Sequence, residues 1–235
     1  TGIPDENRFS VSYGTALRQY TTFGDYLEER GGKTDWLTLE AGHRELPEAM
    51  PVHLDLYESA TNPEIRNRVT ELGRSLNGSW DAAQATALPD QKLSLGLTRR
   101  FEKGSFIAGN VTSLTYSYSN TFREALNNNY SIYNYAYDTP GILDEFTDRQ
   151  YKTNVRAGLM HNWTLYPYDG LKLEFRNFFT STSGSAVSMR EGLDWYNNGR
   201  SIRSGETKYT HRVIYSGQLG AEHLFAEGRT TVDFT

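Results

Sequence analysis

The five histidines are the residues of this sequence best suited to metal binding or proton transfer, but their spacing favours neither. None belongs to an HExxH pattern or to another ligand spacing. Some of them continue runs in which every second residue is apolar, which favours packing or interfacial roles over metal binding. The histidines are His43 and His53, and, in apolar runs, His161, His211 and His223.

Carboxylates and nucleophiles give no stronger indication of a reaction. Asp144, Glu145 and Asp148 form an acidic cluster, but the alternating oxygen ligands and the glycine of a calcium loop are missing, so a solvated turn is the better interpretation. No GxSxG motif, P-loop or dinucleotide-binding glycine pattern is present. Because there is no cysteine, a thiolate metal site is also excluded. The sequence predicts a protein that is not an enzyme and that uses no metal or other cofactor.

Aromatic side chains beside Asn and Asp are the strongest candidates for ligand contacts. Their faces suit the capture of sugars or other amphipathic nutrients. The alternative interpretation is that they pack surface loops against one another. The candidates are Tyr130, Tyr133, Tyr135 and Tyr137 in one predicted loop, and Asp194, Trp195 and Tyr196 in another.

Arginines on the polar side of predicted strands form a second candidate set. In a water-filled lumen they would attract an anionic substrate. The other interpretation pairs them with carboxylates such as Glu174 and Glu222, or with acidic residues outside this sequence. The set comprises Arg100, Arg156, Arg176 and Arg212.

The segment from Tyr209 to Phe225 shows what kind of element positions these residues. It alternates for about three times the five or six residues of an ordinary strand, which is typical of a tall, tilted barrel wall with apolar side chains toward lipid and polar ones toward water. One side carries Tyr209, His211, Val213, Tyr215, Leu219 and Phe225, and the other carries Arg212, Gln218 and Glu222.

The same alternation recurs along the chain and predicts about seven strands, the last one truncated. Tight turns at 102–104, 168–170 and 226–228 alternate with long polar loops at 26–51, 121–151 and 181–206. Asn62 and Pro63 predict the start of a surface helix of about three turns, and 77–91 is linker-like. Asn110 and Thr112 interrupt an apolar strand side, which is compatible with a bulge. The other strands are predicted at 8–17, 92–101, from 106 onward, 155–165, from 171 onward, and in the closing RTTVDFT.

Composition is compatible with both a soluble domain and a membrane barrel. The mean hydropathy of −0.64 and the net charge of −5 are typical of a soluble protein, yet only every second strand residue of a barrel must be apolar. No run approaches the roughly 20 apolar residues of a spanning helix, which excludes a helical membrane protein. The mild acidity and the lack of a basic patch interleaved with aromatics argue against nucleic acid.

Several phrases resemble the barrel portion of TonB-dependent outer-membrane receptors, particularly the SusC-like branch. They follow one another in order over nearly the whole chain. The phrases are GGKTDWL at 31–37, PDQKLSLGLTRRF at 89–101, DRQYKTNVRAGLMHNW at 148–163, LKLEFRNFF at 171–179, REGLDWYNNGRSIR at 190–203 and YSGQLGAEHLF at 215–225.

The resemblance implies an all-β fold: an antiparallel segment of a large transmembrane β-barrel of the 22-stranded type, with long extracellular loops and one short surface helix. Residues 1–235 would form a single partial barrel without the plug, the TonB-box segment or the closing strands. The implied function is import of a glycan, peptide or chelate across the bacterial outer membrane. The implied partners are the TonB system, outer-membrane lipid and, optionally, a SusD-like surface lipoprotein.

Two alternatives remain open at the level of sequence. A secreted β-sandwich that binds carbohydrate predicts solubility and strands of about six residues, whereas a receptor predicts strands of ten or more. A small self-contained porin predicts a native chain that ends near Thr235. An unpaired edge strand is not tolerated in lipid, so we expect the chain to be part of a larger barrel.

Overall fold

The computed structural model describes residues 2–39, 44–53, 56–76, 82–195, 199–225 and 230–234. The fold is all-β and mostly antiparallel sheet, with one α-helix. Its elements in chain order are β1 (Arg8–Ala16), β2 (Asp25–Glu29), α1 (Pro63–Ser75), β3 (Ala82–Thr86), β4 (Asp90–Lys103), β5 (Phe106–Asn134), β6 (Thr139–Tyr168), β7 (Leu171–Asp194), β8 (Arg200–Phe225) and β9 (Thr230–Phe234).

One seven-stranded sheet contains most of these elements, in the order β1-β4-β5-β6-β7-β8-β9. Neighbours in the sheet from β4 onward are also neighbours in the chain, so that part is a continuous meander of hairpins. The predicted number of strands is confirmed for this sheet. β2 and β3 form a separate two-stranded sheet within residues 17–89, a segment we call the insertion.

The strands are much longer than the sequence analysis predicted. β5 and β6 have 29 and 30 residues, and β7 and β8 have 24 and 26. The predicted loops at 121–151 and 181–206 are therefore wrong, because β5 continues to Asn134 and β6 starts at Thr139, while β7 continues to Asp194 and β8 starts at Arg200. The predicted linker at 77–91 is also wrong in its described part, which contains β3 and the start of β4.

Side-chain pairs across neighbouring strands explain why these polar stretches are strands. Asn129 donates a hydrogen bond to Asp144 at 2.8 Å, and Arg149 donates to Glu124 at 2.7 Å. Each pair joins β5 to β6 in the part of the ladder that runs without a register shift, from Ile107 to Asn129. Such cross-strand pairs contribute about 0.2–1 kcal/mol each, so a stretch rich in Asn and Asp is stable as a hairpin.

Short turns lie at the opposite end of the sheet, as predicted. Gly104 (φ +60°) follows β4, and Gly170 (φ +95°) lies between β6 and β7. Glycine adopts this left-handed conformation without the strain of a Cβ atom. The third predicted turn, at 226–228, lies outside the described residues.

The two faces of the main sheet differ sharply in polarity. The register aligns one apolar residue from each of six strands in a single row. Leu114 and Leu159, at the centre of that row, are 40% and 41% exposed. We call the side that carries the row the apolar face and the opposite side the polar face. The apolar row is Val11, Leu95, Leu114, Leu159, Phe179 and Tyr215.

The insertion covers the part of the apolar face that lies between the apolar row and the hairpin tips. Tyr26 of β2 is 3% exposed and meets the ring of Tyr151 edge-on at a centroid distance of 5.3 Å. Its hydroxyl lies 3.3 Å from that of Thr153. Burial raises the pKa of Tyr26 to about 12. Together with Val155 and Val187, which are also buried, Tyr26 marks the core of the protein.

The predicted surface helix is confirmed as α1, which has 13 residues. Asn62 is its N-cap, since the Asn62 side chain accepts hydrogen bonds from the backbone of Glu64 and Ile65. Leu72 is buried on the inner side of the helix. None of the helical segments in the described parts of the chain has the length and hydropathy required to cross a membrane.

The bulge considered at Asn110 and Thr112 is absent, since the register of β5 runs through both residues without a shift. Hydrogen bonds explain the polar residues instead. Trp163 donates its indole N–H to His161 Nε2 at 2.9 Å, and His161 Nδ1 lies 2.9 Å from the Thr112 hydroxyl. Thr112 donates in turn to Asn110 Oδ1 at 3.1 Å. With its proton on Nδ1, His161 donates to Thr112 and accepts from Trp163 through Nε2. These polar groups on the apolar face therefore satisfy one another's hydrogen bonds.

Candidate ligand-binding site on the polar face

The predicted tyrosine candidates lie at the tip of the β5–β6 hairpin. Tyr133 and Tyr135 contact each other edge-on at a centroid distance of 5.1 Å, and the Tyr133 hydroxyl donates a hydrogen bond to the Asp138 carboxylate. Tyr135 and Tyr137 are 88% and 79% exposed. The tip therefore presents aromatic faces to solvent, but no pocket encloses them among the described residues.

The second predicted set lies at the tip of the next hairpin. Asp194 is only 9% exposed and is paired in register with Asp144. The Trp195 backbone donates to the Leu143 carbonyl at 2.8 Å, and the Trp195 ring packs against Gly199. Tyr196 lies outside the described residues.

The structure does not bring these two sets into one pocket. Tyr133 is opposite Pro140, whereas Asp194 is opposite Asp144 on the same strand, β6. Four residues of extended chain separate the two positions by about 13 Å. Asp194 is also buried in its hairpin, and a role for it in ligand contact stays a prediction.

A different group of side chains converges on the polar face. Lys152 and Lys208 lie in one row on either side of Ala186, and Arg156 and Arg212 lie in another row on either side of Thr182. We call Lys152, Arg156, Lys208 and Arg212 the basic quartet. Strands are about 4.8 Å apart and rise about 3.3 Å per residue, so the backbone positions of the quartet form a rectangle of about 10 by 13 Å.

Small side chains of β7 form the floor of this rectangle. Gly184 lies at its centre, in the row between the two cationic rows and beside Asn154 and Thr210. A cavity of about 790 Å³ occupies the space above the floor, within the range of small-ligand sites. Besides the basic quartet, its walls include Gln150, Asn154, Thr180, Thr182, Ser188, Glu206 and Thr210, with Phe178 and Ile214 at one end.

The charges of the basic quartet are not balanced within the described structure. Other basic residues of the same face have carboxylate partners: Arg100 pairs with Glu102, and Arg176 with Glu174 at 2.5 Å. No described residue forms an ion pair or a hydrogen bond with the four side chains of the quartet. Among the described residues that line the cavity, Glu206 carries the only carboxylate.

Sequence reasoning identified half of the quartet. It singled out Arg156 and Arg212 but also Arg100 and Arg176, which the structure places in ion pairs. The missed residues are Lys152 and Lys208. Their signal is present in the sequence, because both strands carry a lysine four residues before the arginine and period two places such residues on one face.

A second cavity, of about 580 Å³, continues along the polar face toward the hairpin tips and shares Gln150, Ser188 and Glu206 with the first. Here Arg190 forms an ion pair, since it donates to both oxygens of Asp148 at 2.6 and 2.7 Å. These bonds hold the pKa of the Asp148 carboxyl below its ordinary value. The two cavities therefore form one groove, with an ion-paired end at Asp148 and Arg190 and a cationic end at the basic quartet.

Close packing at Gly192 supports the ion-paired end of the groove. The Arg190 guanidinium lies 5.1 Å from the centre of the Phe146 ring and Phe146 is opposite Gly192. A Cβ atom at Gly192 would overlap the Glu145 carbonyl oxygen and would lie 2.8 Å from the Phe146 Cα. Only glycine fits this position without a backbone shift.

We expect Gly192→Ala to separate β7 locally from β6, at a cost of about 1–3 kcal/mol for the forced shift. Amide hydrogen exchange at 190–194 should accelerate about 5- to 100-fold relative to the wild type. Gly14→Ala is the matched control, because a Cβ atom there meets nothing within 4 Å. Unchanged exchange in Gly192→Ala would show that the close approach is not a constraint in solution.

The described residues contain no group of three or more histidine, aspartate or glutamate side chains arranged to hold a metal ion. Asp144 and Asp148 of the predicted acidic cluster are engaged by Asn129 and Arg190 instead. Comparisons with protein-family models, with curated proteins and with solved structures find no match for this chain.

Proposed function

We propose that this chain is a stretch of the wall of a TonB-dependent outer-membrane receptor of the SusC-like type. Such a receptor imports a nutrient (a glycan, peptide or chelate) across the bacterial outer membrane. The apolar row carries the proposal, because it crosses six strands and four of its six residues, Val11, Leu114, Leu159 and Tyr215, are exposed. Continuous exposed apolar surface of this kind marks a contact with lipid or protein.

The dimensions of the apolar surface fit a membrane. It extends along β6 from Leu165, next to the short turns, to about Ala157, the row in which the insertion first contacts the sheet. Eight residues at about 3.3 Å each and a tilt of about 40° give a height of about 20 Å, close to the roughly 25 Å of the apolar band of an outer-membrane barrel. Phe101 and Trp163 stack at a centroid distance of 6.4 Å near the short-turn end, where an aromatic girdle is expected.

The polar network within this band also supports contact with lipid. An unsatisfied polar group in hydrocarbon costs several kcal/mol. Asn110 is 3% exposed, and its Nδ2 donates to the Asn162 carbonyl at 3.0 Å. Asn177 donates to the His161 carbonyl and accepts from the Tyr215 hydroxyl. The apolar face thus contains polar atoms that are already satisfied without water.

Strand length favours this proposal over a carbohydrate-binding β-sandwich. The sandwich alternative predicts strands of about six residues, whereas β4 to β8 have 14 to 30 residues. Short turns at one end and long hairpins at the other are also typical of outer-membrane barrels. The TonB system, outer-membrane lipid and, optionally, a SusD-like lipoprotein would be the partners, as the family resemblance implies.

The mass and the membrane fraction of the native polypeptide test the proposal. We expect peptides of this sequence to come from a chain several times longer that sediments with the outer membrane and needs detergent for extraction. A soluble native chain of about this size would contradict the proposal and leave the carbohydrate-binding sandwich as the function to test. A membrane chain that ends near residue 235 would instead indicate the small porin.

A further inference from the structure

We propose that the basic quartet binds an acidic oligosaccharide whose anionic groups are carboxylates or sulfates. The inference deepens the proposed function, since it rests on the polar face being the lumen side of the receptor wall. It assigns a substrate class to the groove, whereas the family resemblance alone leaves glycan, peptide and chelate open.

Charge is the first argument. The cavity has four cationic side chains and one carboxylate, Glu206, among its described lining residues. Like charges that line one cavity repel each other, and a low-dielectric wall raises this cost. A bound polyanion removes the repulsion and gains charge-assisted hydrogen bonds, so the site is complementary to several negative charges.

The spacing of the charges argues for an extended ligand. The backbone positions of the quartet are about 10 and 13 Å apart along the two sides of the rectangle. The cavity of about 790 Å³ is several times larger than one phosphate or sulfate ion, so such an ion would leave most of it to water. An oligosaccharide with an anionic group on successive units can approach all four.

The lining of the cavity favours a hydroxylated ligand over an acidic peptide. Thr180, Thr182 and Thr210 supply hydroxyl groups, and Gln150 and Asn154 supply amides that can donate to and accept from sugar hydroxyls. Apolar side chains larger than that of alanine, which would receive those of a peptide, are confined to Phe178 and Ile214 at one end. Gly184 keeps the floor low, since a Cβ atom there would lie 3.3 Å from Asn154 Oδ1.

Calorimetric titration of the native protein in detergent tests the inference with three tetrasaccharide probes: one carboxylated (oligogalacturonate), one sulfated (a sulfated chondroitin fragment) and one neutral (maltotetraose). We expect an acidic probe to bind and the neutral probe not to bind, and we expect affinity to fall between 50 and 500 mM salt because exposed charges are screened. The two acidic probes distinguish carboxylate from sulfate as the recognised group. Binding of maltotetraose as tight as that of both acidic probes would overturn the inference.

Two charge-matched double variants locate the site. The double variant Lys152→Gln with Lys208→Gln should lower the affinity for the acidic probe about 10- to 100-fold, as expected for the loss of charged hydrogen bonds. Arg8→Gln with Lys103→Gln removes the same charge from exposed positions outside the groove and should leave affinity unchanged. Equal losses in both variants would overturn the assignment to the groove.

A failure of this inference can be distinguished from a failure of the proposed function. A native chain in the outer membrane that binds none of the acidic probes contradicts only the substrate class. A soluble native chain contradicts the proposed function itself, whatever its affinity for the probes.

Discussion

Leu114→Arg is expected to destabilise the folded protein in lipid by about 2–4 kcal/mol, the cost of arginine on the lipid face near the middle of a bilayer. This cost corresponds to a roughly 30- to 1,000-fold drop in the folding equilibrium constant. Leu114 lies in the apolar row between Leu95 and Leu159, at the centre of the proposed band. Urea titration of the native polypeptide folded in lipid vesicles, followed by tryptophan fluorescence, measures the change.

The neighbouring residue is the control for this prediction. Thr115 is also exposed, but its side chain lies on the polar face beside Ser94 and Gly158. Thr115→Arg adds the same charge at the same height, and we expect a change below about 1 kcal/mol because water solvates that face. If Thr115→Arg were as damaging as Leu114→Arg, or if both were neutral in vesicles, the assignment of the apolar face to lipid would be wrong.

Sequence reasoning predicted the strand type of this protein well because period two is a local property. The alternation in 209–225 and the glycines at 104 and 170 are sufficient for the strand faces and the short turns. At 121–151 and 181–206 the polar composition predicts loops, but strands occupy most of both ranges. Asn129, Arg149 and their partners stabilise these stretches only across strands, and such pairing is invisible within one segment.

The basic quartet cannot be predicted from any single segment of the sequence. Lys152 and Lys208 are 56 residues apart in sequence and share a row only because β6, β7 and β8 pair in one register. A shift of one residue would move one of them to the other face. The register depends on the length of each hairpin connection, and the sequence analysis placed the far ends of these hairpins wrongly.

Polar residues within apolar runs also have roles that depend on partners in other strands. The sequence analysis treated Asn110 and Thr112 as an interruption, and it gave His161 a packing or interfacial role. The structure joins them through hydrogen bonds that cross between β5 and β6. Their role depends on partners 49 and 52 residues away, so a single strand shows only that the apolar pattern is broken.

Tyr26→Ala is expected to release the insertion from the sheet, at a cost of about 3–5 kcal/mol as for other buried aromatic side chains. Tyr26 is buried at the centre of the contact and packs against Tyr151. The Tyr151 ring in turn packs against the Phe122 ring at a centroid distance of 5.0 Å. Hydrogen exchange of the native polypeptide measures the effect. Exchange should accelerate in β2 and β3 while the ladder between β6 and β7 keeps its protection.

Tyr57→Ala removes the same side chain from the insertion at a position that is 91% exposed, so its exchange pattern should match that of the wild type. The insertion also has polar contacts with the sheet, since Tyr116 donates to the Trp36 carbonyl at 2.8 Å and Ser181 donates to the Thr38 carbonyl at 3.1 Å. Unchanged protection in Tyr26→Ala would show that these bonds suffice and that the aromatic cluster does not hold the insertion. Release of the insertion would instead show that the buried aromatic side chains stabilise the contact. Each of these hydrogen bonds contributes only about 1 kcal/mol to stability, because it replaces a hydrogen bond to water.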